Sequence, residues 1–269
     1  VERDGELVED FEYQGEGGVW GGYTKASTGK SEHKDEKIER VLLMTDDFDG
    51  AGLATLREVA AALERVRAAG KQVHVGGNIG VPLIDRLDDI KPGEPIVLEL
   101  SSFQLELYDP ALAWGSLDDL NLAVGAILNV TPNHLDRHPS MAAYADAKLN
   151  LLRRLRPGAA AVLSADDAVT GAVLGTPPAL APEDPAQLAR LRAWNLLVPA
   201  NEMHRQLAAG GVRLLGFSRV HTCAGGAWLA SAVEEENLIY RGRPVCARGE
   251  IKLRGEHNVS NLLAAMAIS

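Results

Sequence analysis

The sequence predicts an α/β fold, with a mostly parallel sheet flanked by helices and a small antiparallel patch near the C-terminus. Two features lead to this prediction. Short apolar runs alternate with stretches in which apolar residues recur at helical spacing, which is typical of strands joined by crossover helices. Each apolar run also ends in a polar loop with glycine or carboxylate residues. Because ligands of parallel sheets bind beyond the carboxyl ends of the strands, we expect the functional residues in those loops.

The first two thirds of the chain supply the parallel part of the predicted sheet. Apolar runs predict five strands, at residues 41–44, 72–75, 96–100, 124–130 and 159–164. Helical spacing predicts a helix after the first strand, with apolar residues at Leu56, Val59, Leu63 and Val66 and a stop at Gly70. Another helix is predicted at about 140–155.

The last third of the chain is less regular. Residues 175–210 are looser, and the four prolines within 176–185 indicate that this shorter stretch is a loop or an insertion. Short β-like runs then predict the antiparallel patch, at residues 213–218, 227–231, 237–240 and 250–253. Asn258 is a candidate N-cap of a final helix, on which Leu262, Ala265 and Met266 share one face. Since the sequence stops inside this helix, we expect a truncated chain.

Composition and charge exclude several classes of protein. Of the 269 residues, 46% are hydrophobic, enough for a substantial core and against a wholly disordered chain. The 37 acidic and 27 basic residues leave a net charge of −10, which argues against nucleic acid as a partner. No apolar run reaches the roughly 18 residues of a membrane span. Cys223 and Cys246 form no CxxC pair, so we expect a reducing, cytoplasmic setting.

The acidic charge is concentrated at the start of the chain. Residues 1–40 hold 11 acidic and 6 basic residues together with seven glycines, and they show little apolar periodicity. We expect residues 1–37 to be a poorly ordered extension and residues 38–269 to form one substantial domain.

Two of the predicted strand ends carry residues that suit a metal ion. Glu99 ends an apolar strand, where a buried carboxylate is costly unless it holds a metal or acts as a base; a side chain that reaches solvent is the alternative. His134, Asp136 and His138 crowd the loop after the next strand. The spacing of the two histidines allows zinc, but no further zinc-type ligands accompany them. Glu99 with one histidine suits magnesium better, because hard cations prefer oxygen ligands.

Lys148 stands on an apolar helical stripe with Met141, Tyr144 and Leu152. A lysine in such a place usually extends its amine into water. Alternatively, burial favours the neutral amine, which can add carbon dioxide and become a carbamate that binds metal.

Amide side chains mark two further loops. Asn258 and Asn261 share a face at the start of the final helix, where amides can contact a purine base, although N-capping alone would explain Asn258. Residues 76–80 read GGNIG, so the backbone can approach a ligand closely there, with Asn78 as a polar contact.

These segments, in this order, resemble the Mur ligase family. The resemblance runs from about residue 59 to 269, through GGNIG, ELSSFQLE, NVTPNHLDRH, AYADAKLN, LSADD and GEHNVSNLLAA. ELSSFQLE indicates the branch that adds D-glutamate, because Phe103 and Gln104 stand where sister ligases typically carry a histidine variant. The resemblance implies the central, ATPase-type domain of such a ligase, with a P-loop-type sheet. We expect the chain to lack the family's usual N- and C-terminal domains.

The resemblance implies a role for each matching residue. Asn78, Ser101 and Ser102 would contact the nucleotide-sugar substrate. Glu99, His134 and a carbamylated Lys148 would hold Mg²⁺, with His134 and Lys148 also counted as catalytic. Asn258, Asn261 and His257 would meet ATP.

The implied reaction joins D-glutamate to UDP-N-acetylmuramoyl-L-alanine. ATP converts the substrate carboxylate into an acyl phosphate, the amine of D-glutamate attacks it, and ADP and phosphate leave. A cytoplasmic monomer that binds neither nucleic acid nor membrane is expected.

The chain departs from the family at the phosphate loop. A GTxGK[ST] pattern is expected after the first strand, but residues 45–52 contain Asp46, Asp47 and Asp49 and no lysine. An earlier ASTGKS string offers Gly29, Lys30 and Ser31, but no apolar strand precedes it, and coincidence is the alternative. A relative that has lost the phosphate loop and binds a nucleotide-sugar or a partner protein is therefore the second functional hypothesis.

Overall fold

The fold is described from a computed structural model. The described residues are 2–3, 6–7, 41–45, 72–78, 83–112, 122–175, 185–231, 235–251 and 255–268. The predicted helix that includes Leu56 and the candidate phosphate-loop residues Gly29, Lys30 and Ser31 lie outside these ranges. So does the extension 1–37, apart from two short strands that pair antiparallel, Glu2–Arg3 (β1) and Glu6–Leu7 (β2).

The remaining described strands form one nine-stranded sheet. They are β3 (Val41–Thr45), β4 (His74–Gly77), β5 (Ile96–Glu99), β6 (Leu122–Ile127), β7 (Ala160–Ser164), β8 (Arg213–Ser218), β9 (Ala227–Ser231), β10 (Glu236–Tyr240) and β11 (Arg243–Ala247). Their order is β11-β10-β9-β8-β7-β6-β3-β5-β4. Pairing is parallel from β4 to β9 and antiparallel between β9, β10 and β11. The predicted fold class, including the antiparallel patch near the C-terminus, is confirmed.

Six α-helices are described around this sheet. They are α1 (Ser102–Glu106), α2 (Met141–Arg153), α3 (Ala168–Leu174), α4 (Pro185–Ala193), α5 (Leu197–Ala209) and α6 (Glu256–Ile268). Short 3₁₀ helices occupy Leu83–Asp89, Pro110–Leu112 and Arg248–Glu250. No helix in the described part of the chain is both long and apolar enough to cross a bilayer.

The sheet separates two apolar layers. Strand β6 contributes to both layers, with Leu122 and Ile127 in the layer shared with α1 to α5, and Val124 and Ala126 in the layer shared with α6. Its register against β3 shifts between Leu122 and Val124. A sheet covered on both faces needs apolar residues at consecutive positions, which is why its strands appear in the sequence as continuous apolar runs.

The predicted loop at 176–185 lies outside the described residues except for Pro185. The described remainder of the looser segment 175–210 contains the helices α4 and α5, which the sequence did not predict. The reason for a helix is visible in α5, where Ala200, Met203 and Leu207 are buried at helical spacing. Of the four prolines that suggested a loop, three precede α4 in the sequence, and Pro185 is the first residue of that helix, a position that tolerates proline.

Two predictions near the C-terminus are wrong for the residues that the structure describes. In the run 250–253, Glu250 closes a 3₁₀ helix and Ile251 is its C-cap, so neither is in a strand, and residues 252–253 lie outside the described residues. Asn258 is not an N-cap, because α6 begins at Glu256 and the Asn258 N–H donates to the Gly255 carbonyl within the first turn, at 3.2 Å. Gly255 has φ +98°, a conformation suited to glycine at this entry to the helix.

Candidate functional site

The loops that follow three neighbouring parallel strands, β6, β7 and β8, open onto a cleft with a volume of about 710 Å³. The start of α6 and one face of α4 complete its wall. Its lining residues are Leu128, Asn129, Val130, Thr131, Pro132, Ser164, Asp166, Asp167, Ala168, Arg190, Trp194, Phe217, Arg219, Glu256, His257, Ser260 and Asn261. The cleft therefore lies at the carboxyl edge of the sheet, where ligands of α/β proteins bind.

Two of the three residues predicted to meet ATP, His257 and Asn261, line this cleft. Asn261 is 5% exposed, and its Nδ2 is buried without a hydrogen-bond partner among the described residues. A buried amide N–H₂ is costly unless it donates to something, so a ligand acceptor in the cleft would satisfy it. Asn258 is half-buried and is not among the lining residues.

Acidic side chains hold the cleft loops in place. Asp167 is the N-cap of α3, and its Oδ1 accepts from the N–H groups of Val169 and Thr170 at 3.1 and 2.9 Å. Its Oδ2 accepts from the Val130 N–H at 3.2 Å, so the same carboxylate joins the loop after β6 to α3. Asp166 does the equivalent for the loop after β8, by accepting from the Arg219 N–H at 2.8 Å.

Glu99 and Asn78 lie next to each other at the carboxyl ends of β5 and β4. Glu99 is 3% exposed, and its carbonyl accepts from the Asn78 N–H at 2.8 Å. Gly77 makes this approach possible. It has φ +118°, and a Cβ at this position would lie 2.0 Å from the Glu99 carbonyl oxygen, so only glycine fits. The Asn78 side chain is exposed, as a residue that contacts a substrate would be.

His134 and Lys148 both lie near the ring of Tyr144. The His134 and Tyr144 ring centres are 6.4 Å apart, and the Lys148 Nζ is 5.3 Å from the Tyr144 centre. Lys148 is 1% exposed, so it does not extend into solvent, whereas His134 is exposed and has φ +52°. That Glu99, His134 and Lys148 act together on a metal ion stays a prediction.

The two serines of ELSSFQLE have structural partners. Ser101 is the N-cap of α1 in a capping box, in which the Gln104 Oε1 accepts from the Ser101 N–H at 2.9 Å. Ser102 is 3% exposed, and its Oγ is 3.0 Å from the His138 Nε2. Their predicted contact with substrate stays a prediction.

His138 forms a connection that the sequence analysis missed. Its Nδ1 lies 3.3 Å from the Glu106 Oε1, so the imidazole bridges Ser102 and Glu106, which are one helical turn apart on α1. Burial lowers the pKa of His138, which favours the neutral imidazole. The i, i+4 spacing of Ser102 and Glu106 indicates that the two side chains lie on one face of α1. The local sequence does not indicate that a histidine 36 residues after Ser102 lies between them.

Zinc binding by the loop histidines has no support in the structure. Both ring nitrogens of His138 already face protein partners, Ser102 and Glu106, and the His134 side chain is exposed. Within the described ranges, no three His, Cys, Asp or Glu side chains are grouped to hold a metal ion.

Comparison with known proteins supports the family resemblance. Residues 55–177 match the family model of the Mur ligase middle domain. The UDP-N-acetylmuramoylalanine--D-glutamate ligase of Desulfitobacterium hafniense (strain Y51) is 35% identical over 204 residues, and that of Symbiobacterium thermophilum is 36% identical over 210 residues. This chain therefore contains a segment that matches the Mur ligase middle domain. The resemblance drawn from the motifs is thus confirmed.

Each of these alignments covers 76% of this chain and 36% of the relative, so the chain spans about a third of the length of the Mur ligases it matches. Solved structures show the same fold. A UDP-N-acetylmuramoyl-L-alanyl-D-glutamate--2,6-diaminopimelate ligase superposes with a TM-score of 0.55 at 22% identity, over 85% of this chain and 42% of that one. MurF from Acinetobacter baumannii gives 0.53 at 14% identity, over 85% and 41%.

Proposed function

We propose that this chain is the nucleotide-binding part of an ATP-dependent amide ligase of peptidoglycan precursor synthesis, acting in the cytoplasm. The proposed reaction adds D-glutamate to UDP-N-acetylmuramoyl-L-alanine through an acyl phosphate. The names of the 35–36% identical relatives support this choice of substrates, as do Phe103 and Gln104 of the α1 segment.

The observation that carries the proposal is the buried amide of Asn261 in the cleft wall. Its Nδ2 has no partner among the described residues and needs an acceptor, and a purine ring nitrogen is one that a nucleotide would supply. His257 lies one turn earlier on α6 and lines the same cleft, while the half-buried Asn258 is assigned to the edge of the site. The N-terminal end of α6 also favours negatively charged ligands.

A magnesium site is proposed beside this cleft. Glu99 would supply a carboxylate, His134 an imidazole nitrogen and Lys148 the oxygens of a carbamate. The unmodified ammonium of Lys148 would repel a cation, so the residues fit Mg²⁺ only if Lys148 is carbamylated. Bound magnesium would neutralise phosphate charge during transfer to the carboxylate. Asn78, beside Glu99, would orient the substrate toward the transferred phosphoryl group.

Isothermal titration calorimetry of the chain with Mg-ATP tests the nucleotide site. We expect binding, and replacing Asn261 by Ala should weaken it by about tenfold, the effect of losing one hydrogen bond of about 1.5 kcal/mol. Asn201→Ala on α5, which is half-buried and away from the cleft lining, is the matched control and should bind like the parent chain. Binding unaffected by Asn261→Ala would overturn the assignment of the cleft.

Phosphate release tests the substrates. With Mg-ATP and UDP-N-acetylmuramoyl-L-alanine present, D-glutamate should stimulate release, and L-lysine at the same concentration should not. Stimulation by another amino acid in place of D-glutamate would contradict the proposed specificity and leave the ligase class intact.

The sequence after β3 favours the second hypothesis, a relative that binds a nucleotide-sugar without ATP. Asp46, Asp47 and Asp49 follow this strand, which lies between β5 and β6. Three carboxylates there would repel a phosphate chain. Calorimetry that detects the UDP-sugar and no Mg-ATP would favour this alternative.

A further inference from the structure

The positive side chains of the cleft differ in whether they form ion pairs or hydrogen bonds with other described residues. Arg219 is engaged, because its guanidinium pairs with Glu256 at 3.0 Å. Arg248 also pairs with Glu256, so the first residue of α6 is held between two arginines. Arg190, on α4, lines the same cleft and is exposed, and it makes no ion pair or hydrogen bond through its side chain among the described residues.

The acidic side chains of the cleft are occupied as well. Asp166 accepts from the Ser218 hydroxyl and the Arg219 N–H, and Asp167 accepts from backbone N–H groups at the start of α3 and from Val130. Each carboxylate therefore has hydrogen-bonded partners at fixed positions. Arg190 is the cationic group of the described cleft wall that is left to face a ligand.

The end of α4 holds Arg190 and Trp194 on one face. They are four residues apart, and the Trp194 N–H donates to the Arg190 carbonyl at 2.9 Å. Asn195 then adopts φ +56°, and the Leu196 N–H returns to the Leu191 carbonyl at 2.8 Å, which closes the helix end. Trp194 is half-buried against the core and also lines the cleft.

We propose that α4 is part of the nucleotide site, with Arg190 binding a phosphate group of a nucleoside di- or triphosphate and Trp194 forming the wall beside it. The inference rests on the nucleotide site under Proposed function. A guanidinium can pair with two phosphate oxygens at once, which suits an arginine at a cleft wall whose side chain has no partner in the described part of the chain. It also supplies positive charge in a chain whose segment after β3 contains aspartates and no lysine.

Calorimetry with Mg-ATP on an Arg190→Gln variant tests this contact. We expect about a ten- to hundredfold loss of affinity, the range for losing a hydrogen bond to a charged group. Arg192→Gln is the matched control, because Arg192 is exposed on the same helix and is not among the lining residues. The two variants should have the same urea midpoint, so the difference in affinity cannot come from unfolding. Equal affinity of the two variants would overturn the proposal.

Two further arms locate the contact. Adenosine affinity, measured by competition, should be the same in the parent chain and in Arg190→Gln, because adenosine has no phosphate; an equal loss for adenosine would refute the phosphate assignment. Mg-ATP should change the tryptophan fluorescence of the parent chain, and Trp194→Phe should remove that change. A change that persists in Trp194→Phe would place the ligand away from α4.

The outcomes separate this inference from the function it rests on. If the parent chain binds no Mg-ATP, the proposed function and this inference both fail. If Asn261→Ala weakens binding while Arg190→Gln does not, the nucleotide site stands and only the role of α4 is refuted.

Discussion

Asp167 joins two of the cleft loops, and its removal gives the sharpest test of this architecture. In Asp167→Ala the N-cap of α3 is lost, which costs about 1 kcal/mol. The Val130 N–H also loses its acceptor, and because Val130 is 1% exposed, water cannot readily replace it. An unsatisfied buried donor costs about 1–3 kcal/mol. The free energy of unfolding should therefore fall by about 2–4 kcal/mol.

Asp167→Asn separates the two contributions. The asparagine oxygen can keep the cap of α3, since Asn is as good an N-cap as Asp. Its amide nitrogen would then face the Val130 N–H, which places two donors together, so only the cost of the lost acceptor, about 1–3 kcal/mol, remains. The expected order of stability is the parent chain, then Asp167→Asn, then Asp167→Ala.

Urea unfolding followed by circular dichroism measures these differences, with the slope compared between variants to check that the unfolding reaction is unchanged. Asp136→Ala, at an exposed position of the loop after β6, is the control and should stay within about 0.5 kcal/mol of the parent. An Asp167→Ala variant as stable as this control would refute the assigned role of the carboxylate.

Three further predictions follow from other parts of the structure. Replacing Lys148 by Ala should abolish D-glutamate-dependent phosphate release, with partial rescue by added short carboxylates; full activity without rescue would exclude the carbamate. The hydrogen bond from the His74 ring, 2.7 Å away, is the largest of the contacts that lower the pKa of Glu94 below its usual 4.5. The stabilisation that this contact gives the folded protein is therefore complete above pH 4.5 and is lost as the pH falls through the lowered pKa of Glu94. The difference in unfolding free energy between the parent and Glu94→Gln should shrink below pH 4.5. A difference that is constant with pH would contradict this. Burial raises the pKa of the Cys223 thiol to about 12, and Cys223 is 3% exposed, so iodoacetamide at pH 8 should label the half-buried Cys246 first, as peptide mass spectrometry would show; faster labelling of Cys223 would contradict its burial.

Central strands were predictable where consecutive residues are buried, as in β5 and β7. Continuous apolar runs at 41–44, 96–100 and 159–164 correspond to β3, β5 and β7, with bounds that differ by at most one residue. The helices α4 and α5 were missed because prolines and charged residues obscure their pattern. Only the packed structure shows that Met203 and Leu207 turn the same face of α5 to the core.

The candidate site likewise has features that the sequence predicted and others that only the tertiary structure shows. Motif order in the sequence indicated the family and named Glu99, His134, Lys148 and Asn261 as site candidates, because chemistry at strand ends requires particular residue types at short spacing. Tertiary structure decided which partners those residues meet. Ser102 contacts His138, and Asp167 accepts a hydrogen bond from the Val130 N–H, although both pairs are far apart in sequence. Arg190 likewise lines the cleft together with residues from distant parts of the chain. Such contacts depend on how strands are ordered in the sheet and how helices pack on it, and local sequence spacing does not encode that order.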